Sequence, residues 1–194
     1  MTRTAAFDRE TVIRAARDVF WREGYVETAL PTLEKATGIN RSSIYNSFGS
    51  KRGLFDAAVN NYLDEVVRPR LRPLTQESVE STALSDYLSG LSKACEKLES
   101  APGCLLVNAT GTTLAHDPEV CRVITNYLEE LRSAVTAGVR AAKPHLDSPA
   151  QSRLVDAITA MTISSFTLVR IDRSQAIRTL DTARKLLTAD TNES

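Results

Sequence analysis

A run of hydrogen-bonding residues without a single acid spans positions 40–55 of the 194-residue chain. Within it, the segment NRSSIYNSF places polar side chains on both sides of one isoleucine. An arginine side chain can form two hydrogen bonds to guanine and an asparagine two to adenine. Ser, Tyr and Lys side chains suit phosphate oxygens. The residue types therefore predict a hydrogen-bonding surface whose best-matched ligands are base edges and phosphates.

The spacing in this run predicts a short helix over residues 41–47. Asn40 is suited to cap it, and Ile44 and Phe48, four residues apart, share its inner face. The residues left on the outside are Arg41, Ser42, Ser43, Tyr45, Asn46 and Ser47. A solvated face without function is the alternative for any short polar helix. That alternative is weakened here because the outer residues are mostly uncharged hydrogen-bonding types in a basic region.

The charge distribution and the preceding elements agree with this interpretation. Residues 1–52 carry nine Lys/Arg and six Asp/Glu, whereas the rest of the chain carries fifteen and eighteen. A first helix is predicted over residues 8–23, ended by Gly24 in a left-handed conformation. A second, short helix is predicted between a Thr28 cap and Gly38, with Leu30 and Leu33 inside. Two short helices joined by a glycine turn form a helix-turn-helix, whose second helix fits the major groove of DNA.

The remaining sequence also has helical periodicity, and no run alternates with period two. A long helix from residue 51 should end before Pro69 and Pro73. Further helices are predicted over residues 82–98, 104–115, 118–143, 148–172 and 174–189, with a frayed tail after them. Asp117-Pro118-Glu119 and Ser148-Pro149 are the strongest of these start signals. The chain is thus predicted to be all-α, with roughly nine helices.

Composition limits the function classes. A hydrophobic content of 42% supports a proper core and argues against disorder. Three cysteines without a CxxC spacing indicate a reducing compartment. The N-terminal residues lack the apolar stretch of a signal peptide, and no segment reaches the length of a membrane span. These features predict a soluble, cytoplasmic protein without a membrane partner, and nothing in the sequence calls for a cofactor.

Cys104 is the residue best placed for covalent chemistry. It follows Pro102-Gly103 and should lie in the first turn of a helix, where the positive end of the dipole favours the thiolate. Asn108 lies one turn further along the same face. The alternative is that free cysteines are mostly small buried hydrophobic residues, which is the prediction for Cys95 and Cys121. No resolving cysteine is close in sequence, so a disulfide would need one of those two or a second chain.

Metal binding and enzymatic activity have weaker support. The two histidines, His116 and His145, and the scattered cysteines offer no close ligand spacing. An enzyme using Cys104 as nucleophile would need a base within hydrogen-bond reach, and no acid–base pair stands out. The sequence therefore predicts no metal site and no enzyme. A cysteine-dependent enzyme and a helical interaction module that does not bind DNA remain as alternative functions.

Residues 14–55 resemble the DNA-binding region of TetR/AcrR-family transcriptional regulators. The resemblance rests on AARDVFWREGYVETAL, ATGINRSSIYNSF and SKRGLF, which carry the family's residue types at its fixed spacing. It implies that Arg41, Ser42 and Asn46 reach base edges. It also implies phosphate contacts from five residues, namely Thr28, Ser43, Tyr45, Ser47 and Lys51, with a further contact suggested for Arg3. Two positions depart from the family pattern: Glu34 replaces a small residue and Thr37 replaces alanine.

The resemblance also implies the organisation of the whole chain. Residues 1–50 would form the helix-turn-helix DNA-binding domain and residues 51–194 an effector-binding and dimerisation domain. Dimerisation would use the last two helices. The string Gly-Cys-Leu-Leu-x-Asn at positions 103–108 is similar to a subset of the family in which this helix lines the effector pocket. The function implied is a dimeric repressor that leaves its operator DNA when a small-molecule effector binds, or when an oxidant or electrophile modifies Cys104.

Overall fold

The computed structural model describes residues 8–97 and 102–189, and every regular element in these two ranges is helical. The α-helices are α1 (Arg9–Glu23), α2 (Leu30–Thr37), α3 (Arg41–Phe48), α4 (Lys51–Tyr62), α5 (Arg68–Leu71), α6 (Ala83–Lys97), α7 (Leu105–Ala109), α8 (Pro118–Ala142), α9 (Ser148–Leu168) and α10 (Arg173–Thr188). Because α4 continues into α5 through a π-helical turn, the described part of the chain contains about the nine helices predicted. The all-α prediction is confirmed.

Asp8 and Gly24 mark the two ends of α1 as predicted, although Gly24 does not adopt the left-handed conformation that was expected. Asp8 caps the helix, its Oδ1 accepting from the N–H of Glu10 at 3.2 Å. Gly24 follows the last turn with φ of 88°, a positive value that glycine adopts without a Cβ clash, although its ψ of 160° is extended rather than helical. On the buried face, the ring of Phe20 meets Phe55 of α4 edge-on, with centroids 5.2 Å apart. These contacts dock α1 on α4.

α2 is capped one residue later than predicted. Its N-cap is Ala29, which makes no side-chain cap bond, and Pro31 lies in the first turn. The hydroxyl of Thr28 instead donates to the carbonyl of Gly24 at 2.5 Å, which closes the turn after α1. The predicted Thr28 cap is therefore wrong, because its only hydroxyl is used on the preceding turn. Gly38 ends α2 in the left-handed conformation predicted, with φ of 71° and ψ of 7°.

Helices α1–α3 form the head of the protein. Pro69 does not end the long helix that follows this head. α4 passes into a π turn over Leu63–Val67, in which the N–H of Arg68 donates five residues back to Leu63. Pro69 then lies in the first turn of α5, where its missing N–H costs no helical bond. The chain leaves this direction only after a 3₁₀ turn at Arg72–Leu74. The predicted stop was wrong because the wider π turn relieves the clash that proline makes in a continuous α-helix.

The helix predicted over residues 104–115 is divided in two. α7 ends at Ala109, and a separate 3₁₀ turn at Thr113–His116 follows. The hydroxyl oxygen of Thr112 accepts from the N–H of Leu114 at 3.2 Å and caps that turn. The intervening TGTT segment combines glycine with β-branched residues, which favour helix poorly. At the other end of α7, Cys104 is the N-cap of this short helix rather than part of its first turn.

The three long helices of the C-terminal part begin at aspartates. Asp117 caps α8, as predicted, its Oδ1 accepting from the N–H of Glu119 at 2.9 Å. α9 is capped by Asp147 rather than by the predicted Ser148, because the carboxylate is the stronger acceptor. Asp172 caps α10, so α9 ends at Leu168 instead of residue 172. One hydrophobic core continues from α1 and α4 into α6, α8 and α10. Within the described residues, no helix is long and apolar enough to cross a bilayer.

Candidate nucleic-acid interface

α3 divides its side chains between core and solvent as the spacing predicts. Ile44 is fully buried, and Phe48 is half-buried with the guanidinium carbon of Arg9 4.9 Å from its ring centroid. The outer residues Arg41, Ser42, Tyr45, Asn46 and Ser47 are exposed, and Ser43 is half-buried. The predicted orientation of α3 is confirmed. Its outer face carries side-chain hydrogen-bond donors and acceptors over two turns and no carboxylate.

Arg41 and Tyr45 interact with each other on this face. They are one turn apart, and the guanidinium carbon of Arg41 lies 5.4 Å from the centroid of the Tyr45 ring. A cation over an aromatic face is attracted by the quadrupole of the ring. The N–H groups of the guanidinium remain available for hydrogen bonds to other partners. The contact therefore holds the Arg41 side chain against the exposed surface of the helix. No sequence argument had paired these two residues.

The first turn of α3 already has two acceptors for its backbone N–H groups. Asn40 Oδ1 accepts from the N–H of Ser43 at 2.9 Å. Glu34 Oε1, from α2, accepts from the N–H of Arg41 at 2.5 Å. These two N–H groups are therefore not free to bind a phosphate. Sequence reasoning had noticed Glu34 only as a departure from a family pattern, since the bond depends on how α2 meets α3.

Lys51 begins α4 and lies over an aromatic ring. Its Nζ is 4.5 Å from the centroid of Tyr25, and the side chain is half-buried. Burial lowers the pKa of the Lys51 ammonium, and the nearby carboxylate of Glu27 opposes that shift. Ser50 caps α4 by accepting from the N–H of Gly53 at 3.0 Å. The Lys51 side chain is thus held beside the α1–α2 turn instead of extending freely into solvent.

Thr28, one of the residues suggested for phosphate contacts, is placed differently from the rest. The Thr28 side chain is only 1% exposed, and its hydroxyl is committed to Gly24. Burial removes that hydroxyl from the exposed surface of the head, so the expected side-chain contact from Thr28 to phosphate does not fit this arrangement. Arg3 lies outside the described residues.

Cys104 faces a cluster of tyrosines in the body, which is the part of the protein from α4 onward. Its side chain is 1% exposed, and its Sγ donates to the hydroxyl of Tyr127 at 3.6 Å. Tyr62 from α4 and Tyr87 from α6 also approach the thiol. Burial, and then the nearby thiol, raise the pKa of all three phenols, namely Tyr62, Tyr87 and Tyr127. Because these tyrosines come from three helices distant in sequence, no local motif could have revealed the cluster.

A cavity of about 630 Å³ lies beside Tyr87, between the α5 region and α6. Its lining includes Arg70, Pro73, Ala83 and Leu91. This volume falls within the range of roughly 300–1,000 Å³ typical of small-molecule sites. Tyr87 therefore both lines a ligand-sized cavity and approaches the buried thiol of Cys104.

Asn108 belongs to a neighbouring region. Its backbone N–H donates to the carbonyl of Cys104 at 2.9 Å, which confirms that it lies one turn along the same helix. Its side-chain amide donates to the carbonyl of Pro102 at 2.6 Å. The residue lines a separate cavity of about 360 Å³ that also includes Tyr25 and Arg170. Asn108 thus supports the backbone ahead of α7 and does not join the tyrosine cluster.

The other cysteines differ from the sequence-based expectation in one case. Cys95 is half-buried, and burial raises the pKa of its thiol. Cys121 is exposed, donating to the carbonyl of Ala115 at 3.0 Å, so the expectation that it is a buried hydrophobic residue is wrong. In the ranges the structure describes, no group of three or more His, Cys, Asp or Glu residues is arranged to hold a metal ion.

Two polar contacts join the N-terminal helices to the segments around α7. The indole Nε1 of Trp21 donates to the carbonyl of Gly103 at 2.9 Å. The guanidinium of Arg52, at the start of α4, donates to Asp117 Oδ2 at 2.5 Å. The hydrogen bond from Arg52 lowers the pKa of the Asp117 carboxyl to about 2. The first contact reaches the residue before Cys104, and the second reaches the cap of α8.

An all-helical chain with a docked helix-turn-helix and an exposed polar second helix has the architecture of a DNA-binding regulator. Residues 12–58 match the family described as bacterial regulatory proteins, tetR family. The chain is 32% identical over 143 residues to the uncharacterized HTH-type transcriptional regulator YezE of Bacillus subtilis strain 168, covering 74% of each chain. It is 34% identical over 117 residues to the HTH-type transcriptional repressor ComR of Escherichia coli K12, covering 59% of this chain and 55% of ComR.

Solved structures agree with these sequence comparisons. A cysteine mutant of the TetR family transcriptional regulator CifR, complexed with a 26-bp double-strand operator, is similar at a TM-score of 0.75 and 25% identity. The similarity covers 94% of this chain and 98% of that CifR chain. The protein belongs to the TetR family of bacterial transcriptional regulators. It is a DNA-binding transcription factor, so the cysteine-dependent enzyme and the module without DNA binding are both set aside.

Proposed function

We propose that the protein is a homodimeric repressor that binds operator DNA through the outer face of α3. In this proposal, an effector or a modification of Cys104 in the body releases the DNA. The observation that carries the DNA-binding part is the orientation of α3, in which Ile44 is buried and five polar side chains are exposed. The operator complex of the related CifR supports the same mode of action.

The polar residues on the outside of α3, together with Lys51, divide into two groups by chemistry. Arg41, Ser42 and Asn46 are proposed to read base edges, since Arg and Asn match guanine and adenine and a small residue allows close approach. Ser43, Tyr45, Ser47 and Lys51 are proposed to hold phosphates. Thr28 is given only a supporting role, because its hydroxyl closes the turn between α1 and α2.

We place the domain boundary at residue 50, with a DNA-binding domain over residues 1–50 and an effector-binding and dimerisation domain over residues 51–194. The glycine after α3, Gly49, has φ of 76°, and Ser50 begins the capping of α4. α4 thus starts a new helix directly after the recognition helix. Any displacement of α4 by the body would be passed to α3.

Dimerisation is proposed to occur through α9 and α10. Ile171, between these helices, is 82% exposed, and Leu186 of α10 is 40% exposed. Both are large apolar side chains that a second chain would cover. Two copies of α3 must lie about 34 Å apart to enter successive major grooves, which a dimer achieves by symmetry. The molar mass from light scattering after gel filtration should be that of two chains.

The release mechanism is proposed to start next to Cys104 and Tyr87. A ligand in the 630 Å³ cavity would contact Tyr87, and a group added to Cys104 would not fit among the tyrosines without moving them. Either event would displace the backbone at Gly103, which bonds Trp21 of α1, or the α8 cap, which bonds Arg52 of α4. The two recognition helices would then no longer match the groove spacing, and DNA affinity would fall.

The test of this mechanism uses thiol modification of DNA-bound protein. N-ethylmaleimide, which alkylates a single thiol by addition across its double bond, should release DNA from the wild type and from Cys121→Ser, in which the exposed thiol is absent, but not from Cys104→Ser. Equal release from all three proteins would contradict the thiol mechanism and leave a reversible effector. Release lost only in Cys121→Ser would assign the response to the exposed cysteine instead.

A further inference from the structure

The carboxylate of Glu34 is the one acidic group bonded to the recognition helix in the described part of the head. Its Oε1 lies 2.5 Å from the backbone nitrogen of Arg41, the first residue of α3. The bond spans the turn at Gly38 and joins the C-terminal half of α2 to the start of α3. Glu34 is half-buried, so this carboxylate is partly ordered by packing as well as by the bond.

Glu34 and Asn40 together bind the first turn of α3. Asn40 accepts from the N–H of Ser43, and Glu34 accepts from the N–H of Arg41. Both N–H groups would otherwise lack an intrahelical partner. Only the bond from Glu34 crosses between the helices, so it acts with the buried Ile44 to fix the direction of the eight-residue α3 relative to α2. Base readout depends on that direction, because bidentate contacts need defined geometry.

The same carboxylate opposes DNA binding in general. It carries a negative charge at the N-terminus of α3, the helix proposed to enter the major groove between the two phosphate backbones. Affinity for any duplex depends mainly on the cations that neutralise phosphates, irrespective of sequence. A negative charge at this position weakens binding to every DNA duplex because it repels phosphates. The bond to Arg41, by contrast, stabilises only a complex whose base contacts require a defined direction of α3.

We propose that Glu34 is a positioning residue for α3 whose charge also restricts binding to random DNA, and that it thereby raises the preference for the operator. The inference rests on the proposed placement of α3 in the major groove. It adds to that proposal because it assigns discrimination to a residue of α2 that contacts no base.

Two substitutions separate the bond from the charge. Glu34→Gln keeps an oxygen acceptor for the Arg41 N–H but removes the charge, and Glu34→Ala removes both. Glu77→Gln is the matched control, since it removes one exposed carboxylate from the body. Dissociation constants are measured for a random-sequence duplex and for a duplex selected by the wild type, each at several salt concentrations. Circular dichroism melting confirms that each variant is folded.

Glu34→Gln should bind the random duplex roughly three- to tenfold more tightly than the wild type, with a steeper salt dependence. Glu34→Ala should show a similar gain in affinity for the random duplex but no gain for the selected duplex. Its preference for the selected over the random duplex should therefore fall furthest. If Glu34→Ala does not fold, the comparison of Glu34→Gln with the wild type is sufficient to test the effect of the charge. Affinities of Glu34→Gln that equal those of Glu77→Gln on both duplexes would overturn the inference. A wild type that selects no duplex and does not bind random DNA would instead contradict the placement of α3.

Discussion

The outer face of α3 and the surroundings of Cys104 both collect polar groups, but they do so in opposite ways. On α3 the polar side chains are exposed and all come from one helix. Around Cys104 the thiol and the rings of Tyr62 and Tyr127 are buried and Tyr87 is half-buried, and the three rings come from α4, α8 and α6. The first arrangement can meet a large rigid partner without rearranging. The second can respond only to something that enters the body or opens it.

This contrast has a physical origin in how each site is assembled. α3 is docked by a single buried side chain, Ile44, and by the half-buried Phe48, so most of its circumference is free. Cys104 instead is buried in the body, one residue after the Gly103 carbonyl that accepts from Trp21 of α1. A regulator needs both properties, an exposed surface for DNA and an enclosed site that controls it.

Removing the anchor of α3 should have the largest effect. Ile44→Ala deletes a fully buried side chain and should lower the free energy of unfolding by about 2–5 kcal/mol. Ser42→Ala, exposed on the opposite face of the same helix, should stay within about 0.5 kcal/mol of the wild type. Urea denaturation followed by circular dichroism measures both. Equal destabilisation by the two variants would contradict the division of α3 into inner and outer faces.

Thiol accessibility should separate the enclosed site from the surface. In the folded protein, N-ethylmaleimide should modify the exposed Cys121 at least about a hundredfold faster than Cys104, which reacts only when the structure opens. Pulse labelling and peptide mass spectrometry give the two rates, and urea-unfolded protein, in which both should react alike, is the control. Comparable rates for both cysteines in the folded state would mean that Cys104 is not enclosed.

The backbone next to Cys104 should tolerate little change. Gly103 has φ of 72°, and a Cβ there would lie 2.2 Å from the carbonyl oxygen of Phe166. Gly103→Ala should therefore destabilise the protein by about 1–3 kcal/mol. Gly90→Ala, in α6 with open space around it, should stabilise by up to about 1 kcal/mol. Denaturant titrations that show the same sign for both would contradict this account of the loop before α7.

The contact between α4 and α8 should give the smallest effect, visible in acid. The pKa of Asp117 falls from 3.8 to about 2 through its bond with Arg52. A depressed folded-state pKa gives stability that is present above the unfolded value and lost as pH falls through the folded one. Asp117→Asn keeps the cap of α8 but should lose less stability than the wild type between pH 4 and 2. Parallel stability profiles for the two proteins would rule out this contribution.

The sequence predicted what local patterns control. Helical periodicity and caps located α1 and α3, and the four-residue spacing of Ile44 and Phe48 gave the inner face of α3. Features that depend on the path of the chain were missed, namely the π turn that carries the chain past Pro69 and the bond from Glu34 to Arg41. The tyrosines around Cys104 were missed for the same reason. The Asp147 cap was missed for a local reason, because the adjacent Ser148 is also a cap-forming residue type.

The central claim, that the outer face of α3 reads DNA, is tested most directly by fluorescence anisotropy with a duplex that the wild type selects. Arg41→Ala should lose about 1–3 kcal/mol of binding, which is roughly 5- to 150-fold. Arg140→Ala, which removes an exposed arginine of α8, should bind like the wild type. Wild-type binding should also weaken steeply with salt. Equal affinities for Arg41→Ala and Arg140→Ala, or binding that salt does not change, would contradict the account.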